Sequence, residues 1–308
     1  MKIAILPALV AILGLSLAPL SANGEQAQQT GAAPQAAASQ PARVIAAGGV
    51  VTEIVYALGR SDILVGVDTT STYPESALKE KPDVGYVRAL SSEGLLSLKP
   101  TTLIAVQSAG PRDVLKTVEE AGIKVLTIPE ISTPAGISTK VKEISDFLGE
   151  GSKGAALAAD IDKRFAAVDA LRAQIKKPRR ALFILSFQNG RAMVGGRNTS
   201  ADGILALAGL ENVASSLEGW KPISDEALFE AAPDVIIAMA NGQQVTTVES
   251  IMAVPAFAAT PAAKSKSILI FDGGYLLSFG PRTPSAAQDL ILAAYPELAK
   301  PDKRSDLQ

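Results

Sequence analysis

The sequence contains no histidine and no cysteine among its 308 residues. Without histidine, the usual Ser–His–Asp arrangement of a hydrolase cannot be built, and without cysteine the chain forms neither disulfides nor thiolate metal sites. Aromatic residues make up only 5% of the chain, with Trp220 as its single tryptophan. The formal net charge of −2 provides no attraction for nucleic acid or for an anionic membrane. This composition argues against a histidine-dependent hydrolase, against a thiolate metal site and against a protein that binds nucleic acid or anionic membranes.

The first 22 residues have the pattern of a secretory signal. Lys2 precedes an apolar run over residues 3–18, and a small-residue segment ends at Ala22. The run is too short for a permanent transmembrane anchor, and no cysteine follows it to carry a lipid. We therefore expect cleavage after Ala22 and a periplasmic location. Residues 23–41, rich in Gln, Ala, Ser and Pro, are expected to form a flexible leader.

From residue 42 onwards, short apolar strands alternate with helical segments, which indicates parallel α/β layers. The chain also repeats itself, since a Ser-x-Glu helix followed by proline occurs twice, with Glu93 in one copy and Glu226 in the other. We predict two Rossmann-like α/β lobes, residues 42–150 and 179–308, with mostly parallel central sheets and a ligand cleft between them. Pairs of glycines after three strands lack the third glycine of a dinucleotide site and indicate tight turns.

One long helix is predicted to join the lobes over residues 151–178. Its apolar residues lie mostly three or four apart, and no Gly or Pro interrupts residues 155–177. Pro178 is expected to end the helix. A single stiff helix would allow a small rocking of the lobes and no wide hinge closure.

Tyr73 lies in the stretch around which the chain is organised. An apolar strand over residues 62–68 leads into a Thr/Ser-rich loop, and the loop delivers Tyr73 directly before Pro74. Because proline keeps its predecessor extended and suits a helix start, Tyr73 should stand at a strand–loop–helix junction with its ring outward. With histidine and cysteine absent, a phenol is the strongest side-chain ligand left for a chelated iron. The alternative is a half-buried ring that bonds a nearby carbonyl.

Residues 43–298 resemble the cluster A, or class III, periplasmic binding proteins of ABC importers. The resemblance is carried by the paired Ser-x-Glu helices, the Ser-Thr-Tyr-Pro segment at residues 71–74, the long connecting helix and the Phe-Gly-Pro-Arg segment at residues 279–282. Residues 85–94 and 194–196 are most similar to the haem-binding members. The resemblance implies a protein without catalysis that carries one ferric haem b to a permease and ATPase complex of the inner membrane. We expect a monomer.

The resemblance also implies roles for three residues. In the haem-binding members the tyrosine before this proline is the axial iron ligand, and Tyr73 occupies that position. Glu93 and Glu226 match a pair that docks arginines of the permease, although each carboxylate could instead only cap its helix. Some haem binders carry a histidine in the segment equivalent to residues 187–190. This chain has none, so a Tyr/His pair is excluded.

Other candidates lie near the expected cleft. Arg88 and Lys221 precede the paired helices, one in each lobe, and could pair with haem propionates or support a phenolate. The alternative for each is a solvated surface charge. Trp220 could stack on the porphyrin, or it could only pack against other side chains of the protein. Arg191 is a third cationic candidate, and further candidates follow strands that should end at the cleft: Gln107, Phe187 and Gln188.

Two other functions stay open. A siderophore or cobalamin binder of the same class would hold its ligand without a bond from protein to metal, and in cobalamin binders the matching tyrosine only packs against the ligand. An exported α/β enzyme based on carboxylates is the rival from another class, but no pair of acids stands out in the sequence.

Overall fold

The computed structural model of the chain describes residues 42–188, 190–240 and 246–299. The expected signal, residues 1–22, and the expected leader, residues 23–41, lie outside the described residues. Within the described ranges, no helix combines the length and the apolar character needed to cross a membrane.

The first lobe is built on a parallel four-stranded sheet with the order β2-β1-β3-β4. Its strands are β1 (Val44–Ala47), β2 (Leu64–Val67), β3 (Thr102–Val106) and β4 (Lys124–Ile128). All residues of β1 and β3 are buried, as expected for parallel strands covered on both faces. The direction of strand addition reverses between β1 and β3. Open α/β sheets bind ligands at the carboxyl ends of strands at such a point.

The structure describes five helices in the first lobe, not all of which begin at a side-chain cap. They are α1 (Gly49–Ala57), α2 (Ser76–Glu80), α3 (Ser92–Ser97), α4 (Arg112–Glu120) and α5 (Pro134–Phe147), and a 3-10 turn covers Ser61–Ile63. The Ser91 hydroxyl accepts a hydrogen bond from the Gly94 N–H at the start of α3, and Thr133 does the same for Gly136 in α5. Each cap satisfies a backbone donor that the first turn leaves free.

Helix α6 (Gly151–Arg172) connects the lobes as predicted, but it is shorter than the predicted segment. One stripe of the helix is buried: Gly154, Ile161, Phe165 and Val168. The helix ends at Arg172 and does not continue to Pro178. After Arg172 the chain forms a turn in which the Ile175 N–H donates to the Arg172 carbonyl (3.0 Å), three residues back, in place of the i→i+4 bond that would continue the helix.

The second lobe is built on a mixed sheet with the order β10-β9-β5-β6-β8, and β7 also pairs with β5. Its strands are β5 (Arg180–Gln188), β6 (Arg191–Gly195), β7 (Glu211–Asn212), β8 (Trp220–Pro222), β9 (Val235–Ala240) and β10 (Ile268–Asp272). Strands β5, β7, β9 and β10 pair in parallel, whereas β6 is antiparallel to β5 and β8. The sheet is therefore mostly parallel, as predicted.

Short helices surround this sheet, and a long one follows it. They are α7 (Ser200–Leu207), α8 (Asp225–Ala231), α9 (Val248–Met252), α10 (Pro255–Ala258), α11 (Pro261–Lys264), α12 (Gly273–Leu277) and α13 (Thr283–Ala294), followed by a 3-10 turn at Pro296–Leu298. Side chains alternate along β5. Ala181 and Phe183 join a core that extends over both lobes, and Leu182 and Ile184 join a second core on the opposite face of the sheet.

The predicted internal repeat is visible in α3 and α8. Ser91 and Ser224 cap the two helices through their hydroxyl groups. Further residues match at the same distance from these two serines. Leu95 and Leu228 are the buried leucines of the two helices. Lys99 and Ala232 both have a positive φ, and each directly precedes a proline, Pro100 or Pro233. The two helices therefore occupy equivalent positions in their lobes.

Candidate functional site: a cleft between the lobes

A cavity of about 910 Å³ lies where strands of both sheets end. Ligand pockets commonly range from roughly 300 to 1,000 Å³, so this cavity is large enough for a bulky ligand. Its apolar lining includes Val50, Val87, Val106, Met193, Trp220 and Met239. Its polar lining includes Thr70, Arg88, Ser108, Glu130, Asn198 and Asp272. The cavity is thus suited to a ligand with an extended apolar face and some polar groups.

The loop that carries Tyr73 is anchored by Asp68. This buried carboxylate accepts hydrogen bonds from the N–H groups of Gly48 (2.7 Å) and Thr70 (2.9 Å) and from the Ser71 hydroxyl (3.1 Å). A side chain at Gly49 would collide with the Thr70 carbonyl, so glycine permits this close approach of loop and helix. The loop is therefore fixed against the start of α1.

Tyr73 stands at the end of this loop with 45% of its surface exposed, as the sequence predicts. The Tyr73–Pro74 peptide is cis, and α2 begins at Ser76, two residues later than Pro74. Thr72 lines the cavity, whereas Tyr73, the next residue, is not among its lining residues. Its hydroxyl makes no hydrogen bond to any residue that the structure describes. The carbonyl bond considered as the alternative is therefore not seen.

The guanidinium of Arg282 covers the ring of Tyr73. The Arg282 Cζ lies 3.7 Å from the centre of that ring and 5.3 Å from the centre of the Tyr275 ring. The Tyr275 hydroxyl donates a hydrogen bond to Asp289 (2.8 Å). Burial raises the pKa of Tyr275, and the Asp289 carboxylate raises it further. Of the two tyrosines beside Arg282, only Tyr73 therefore has a hydroxyl that bonds to no residue within the described ranges.

Two predicted residues, Arg88 and Trp220, line the cavity, whereas Lys221 does not. Trp220 also packs edge-on against Phe183, with ring centres 6.3 Å apart. Lys221 pairs with Val194, whose side chain belongs to the second core. Because successive side chains of a strand point to opposite faces, Lys221 faces away from the side on which Trp220 meets the cavity.

Three further candidates, Gln107, Phe187 and Arg191, are not among the residues that line the cavity. Gln107 is exposed, although its neighbours Val106 and Ser108 do line it. Phe187 packs edge-on against Phe257 (5.4 Å) in the second core. Arg191 is exposed at the start of β6. The side chain of Gln188 lies outside the described part of the structure.

Sequence reasoning missed Tyr86 and Lys140, which both line the cavity. Tyr86 is 48% exposed and lies two residues before Arg88, in the segment of residues 85–94 that marks the resemblance. Lys140 of α5 is 2% exposed, and its Nζ donates to the Phe279 carbonyl (3.0 Å). Burial lowers the pKa of Lys140 to about 8, against a smaller opposing effect of Glu130. No local pattern distinguishes this lysine from a solvated one on a helix surface.

Comparison with known proteins identifies the family. A profile described as periplasmic binding protein matches residues 44–273. The chain belongs to this family. Periplasmic heme-binding protein RhuT from Roseiflexus sp. RS-1 is 35% identical, with a TM-score of 0.80 over 83% of this chain and 99% of that one. BhuT, a periplasmic heme-binding protein solved with two hemes, is 37% identical, with a TM-score of 0.79 over the same shares.

Cobalamin binders are also related to this periplasmic binding protein. The vitamin B12-binding protein of Photorhabdus laumondii subsp. laumondii is 24% identical over 251 residues, which cover 81% of this chain and 86% of that protein. The family and these structural neighbours are binding proteins and not enzymes.

Glu93 and Glu226 are exposed in the first turns of α3 and α8 of the periplasmic binding protein. Neither forms an ion pair within the described ranges. The backbone N–H of Glu226 and the Ser224 hydroxyl hold the pKa of the Glu226 carboxyl below its ordinary value. Phe229 lies three residues beyond Glu226 and is 78% exposed. Both carboxylates therefore combine a position at a helix start with access to solvent.

Proposed function

We propose that this periplasmic binding protein carries ferric haem to an ABC importer and that Tyr73 is the axial ligand to the iron. The observation that carries this proposal is the exposed ring of Tyr73 directly after the cavity residue Thr72, with the Arg282 guanidinium on that ring and no hydrogen bond from its hydroxyl to the described residues. An anionic phenolate is a hard donor that suits ferric iron, as in the tyrosine-ligated haem of catalase.

The lining of the cavity supports a haem-sized ligand. Val50, Val106 and Met239 offer apolar contacts to a porphyrin face, and Trp220 offers an aromatic one. Arg88 is an exposed cation at the cavity and makes no ion pair with any described residue. It is suited to pair with a propionate. The similarity to RhuT and BhuT points to the same class of ligand.

Delivery requires contact with the transporter. We assign that contact to Glu93 and Glu226, because a matched pair of anions on two equivalent lobes suits a matched pair of arginines on two permease subunits. We further propose that the protein acts as a monomer in the periplasm after cleavage of residues 1–22.

Hemin titration of the purified protein tests the iron ligand. In wild-type protein we expect the absorption spectrum of tyrosine-ligated ferric haem. Tyr73→Phe keeps the ring beneath Arg282 and removes only the ligating oxygen, so it should lose that spectrum. Tyr86→Phe should keep the spectrum with a smaller loss of affinity, because Tyr86 lines the cavity without a guanidinium on its ring. A Tyr73→Phe protein with the wild-type hemin spectrum would place the ligand elsewhere.

A cobalamin binder is the second candidate, favoured by the similarity to vitamin B12-binding proteins. Cyanocobalamin should neither bind with comparable affinity nor compete with hemin if the haem proposal holds. Tight binding of cyanocobalamin by a protein that binds no hemin would replace the first proposal with the second.

A further inference from the structure

The segment of residues 279–282 forms a turn between α12 and α13 that the first lobe holds at two points. Lys140 of α5 donates to the carbonyl of Phe279, a buried residue with a φ of 48°. Glu53 of α1 accepts hydrogen bonds from the Arg282 backbone N–H (2.9 Å) and from Arg282 Nε (3.0 Å). Two charged side chains of the first lobe thus hold one turn that follows the second sheet.

Both holding residues are buried charges. Glu53 is 5% exposed, and burial raises the pKa of its carboxyl against the opposing effect of Arg282. A buried charge destabilises a fold unless it is paired, and even a paired one often adds no net stability compared with apolar residues. The pair formed by Glu53 and Arg282 is therefore better explained by the geometry it imposes than by a gain in stability.

The pair directs the guanidinium toward Tyr73. Nε and the backbone N–H of Arg282 are occupied by the two oxygens of Glu53, which determines how the planar guanidinium is oriented. The Arg282 Cζ then lies over the Tyr73 ring, 3.7 Å from its centre. A series of contacts therefore joins the buried carboxylate of Glu53, the guanidinium of Arg282 and the exposed ring of Tyr73. The loop that carries Tyr73 is itself anchored by Asp68.

We infer that Glu53 is a positioning residue for the ligand site: through Arg282 it holds the Tyr73 ring in the orientation in which its oxygen meets the iron of haem. This inference rests on the proposed function of Tyr73. It also assigns a role to the Phe-Gly-Pro-Arg segment at residues 279–282, one of the segments that carry the resemblance to the class III binding proteins.

A double-mutant cycle with hemin distinguishes positioning from a general structural role. Glu53→Gln keeps the shape of the side chain and removes its charge. It should weaken hemin affinity about tenfold and shift the spectrum of tyrosine-ligated haem, within the range of coupling between contacting residues. In a Tyr73→Phe background, Glu53→Gln should change hemin affinity less than about twofold, because the oxygen to be positioned is gone. Equal losses in both backgrounds would overturn the inference.

Two further variants keep the test decisive. Glu150→Gln removes the ion pair between Arg60 and Glu150 (2.7 Å) away from the cavity and serves as the matched control, with no change in spectrum. If Glu53→Gln does not fold, Glu53→Gln/Arg282→Met removes both charges together, a change that buried pairs often tolerate. A folded double variant with the wild-type hemin spectrum would also overturn the inference. The proposed function fails separately, if Tyr73→Phe leaves the wild-type spectrum unchanged.

Discussion

Trp220 and Lys221 show how the position of one side chain separates a cavity residue from a surface residue. They are neighbours in β8, yet Trp220 lines the cavity and Lys221 pairs with a residue of the second core. The alternation of side chains along a strand accounts for the difference. Of the two cations expected to meet propionates, only Arg88 lies at the cavity.

Arg88→Ala should weaken hemin binding by up to about fivefold, the effect of losing ~0.2–1 kcal/mol from a partly exposed charge pair. The effect should shrink as salt concentration rises, because ions screen exposed pairs. Lys221→Ala is the matched control and should bind hemin as the wild type does. Hemin titrations at low and high salt measure both variants. Equal losses for Arg88→Ala and Lys221→Ala would contradict the placement of Arg88 at the ligand.

Lys140→Met should change how stability depends on pH. Burial lowers the pKa of Lys140 from 10.5 to about 8 in the folded protein. Between these values the unfolded chain binds more protons, so the free energy of unfolding of the wild type should rise with pH relative to the variant. The rise should reach at most ~3 kcal/mol between pH 8 and 10.5. Urea unfolding at several pH values measures it, and parallel pH profiles of the two proteins would show that Lys140 is not desolvated.

At the scale of elements, helices α3 and α8 have the same local structure in the two lobes. Each begins with a serine cap, carries a glutamate in its first turn and packs one leucine into the core. Capping alone explains a glutamate at a helix start, but it does not explain why the same residue recurs at equivalent positions of both lobes. Exposure of both carboxylates is what docking requires.

Glu93→Gln/Glu226→Gln should keep hemin affinity and stability but lose haem uptake and stimulation of the transporter's ATPase. Glutamine keeps the size of the side chain and a hydrogen-bonding amide, and it removes the charge that meets arginine. Glu249→Gln is the matched control, because Glu249 likewise lies in the first turn of a helix, α9, two residues after a capping residue, Thr247. Its own backbone N–H and the Thr247 hydroxyl lower the pKa of the Glu249 carboxyl. Normal uptake by the double variant would refute docking and leave the haem site untouched.

At the scale of the whole molecule, the two lobes share one core. The larger hydrophobic cluster contains Ile45 and Leu103 of the first sheet, Phe165 of α6, and Phe183 and Ile237 of the second sheet. A continuous core favours unfolding of both lobes together. Together with the single connecting helix, it also favours small rocking motions over wide closure.

Thermal unfolding of the protein without hemin should therefore show one transition. Far-UV circular dichroism follows both lobes, and fluorescence of Trp220, the single tryptophan, follows the surroundings of one strand of the second sheet at the cavity. The two melting curves should coincide, as two-state unfolding requires. A fluorescence transition well separated from the dichroism transition would show that the lobes unfold independently.

The sequence by itself determined the features that depend on near neighbours along the chain. Alternating strands and helices predicted two α/β lobes, and the spacing of serine, glutamate and proline predicted the equivalence of α3 and α8. The loop before Pro74 predicted an exposed Tyr73. Hydrophobic periodicity, helix caps and proline act over a few residues, so they can be recognised without knowing the fold.

Only the tertiary structure decided which distant residues meet at the site. Glu53 and Arg282 are 229 positions apart, and Arg282 reaches Tyr73 only because α1, the Tyr73 loop and the turn before α13 pack together. Burial of Lys140 and the separation of Trp220 from Lys221 likewise follow from how helices and strands pack. Such contacts depend on the arrangement of whole elements, and no local pattern in the sequence records that arrangement.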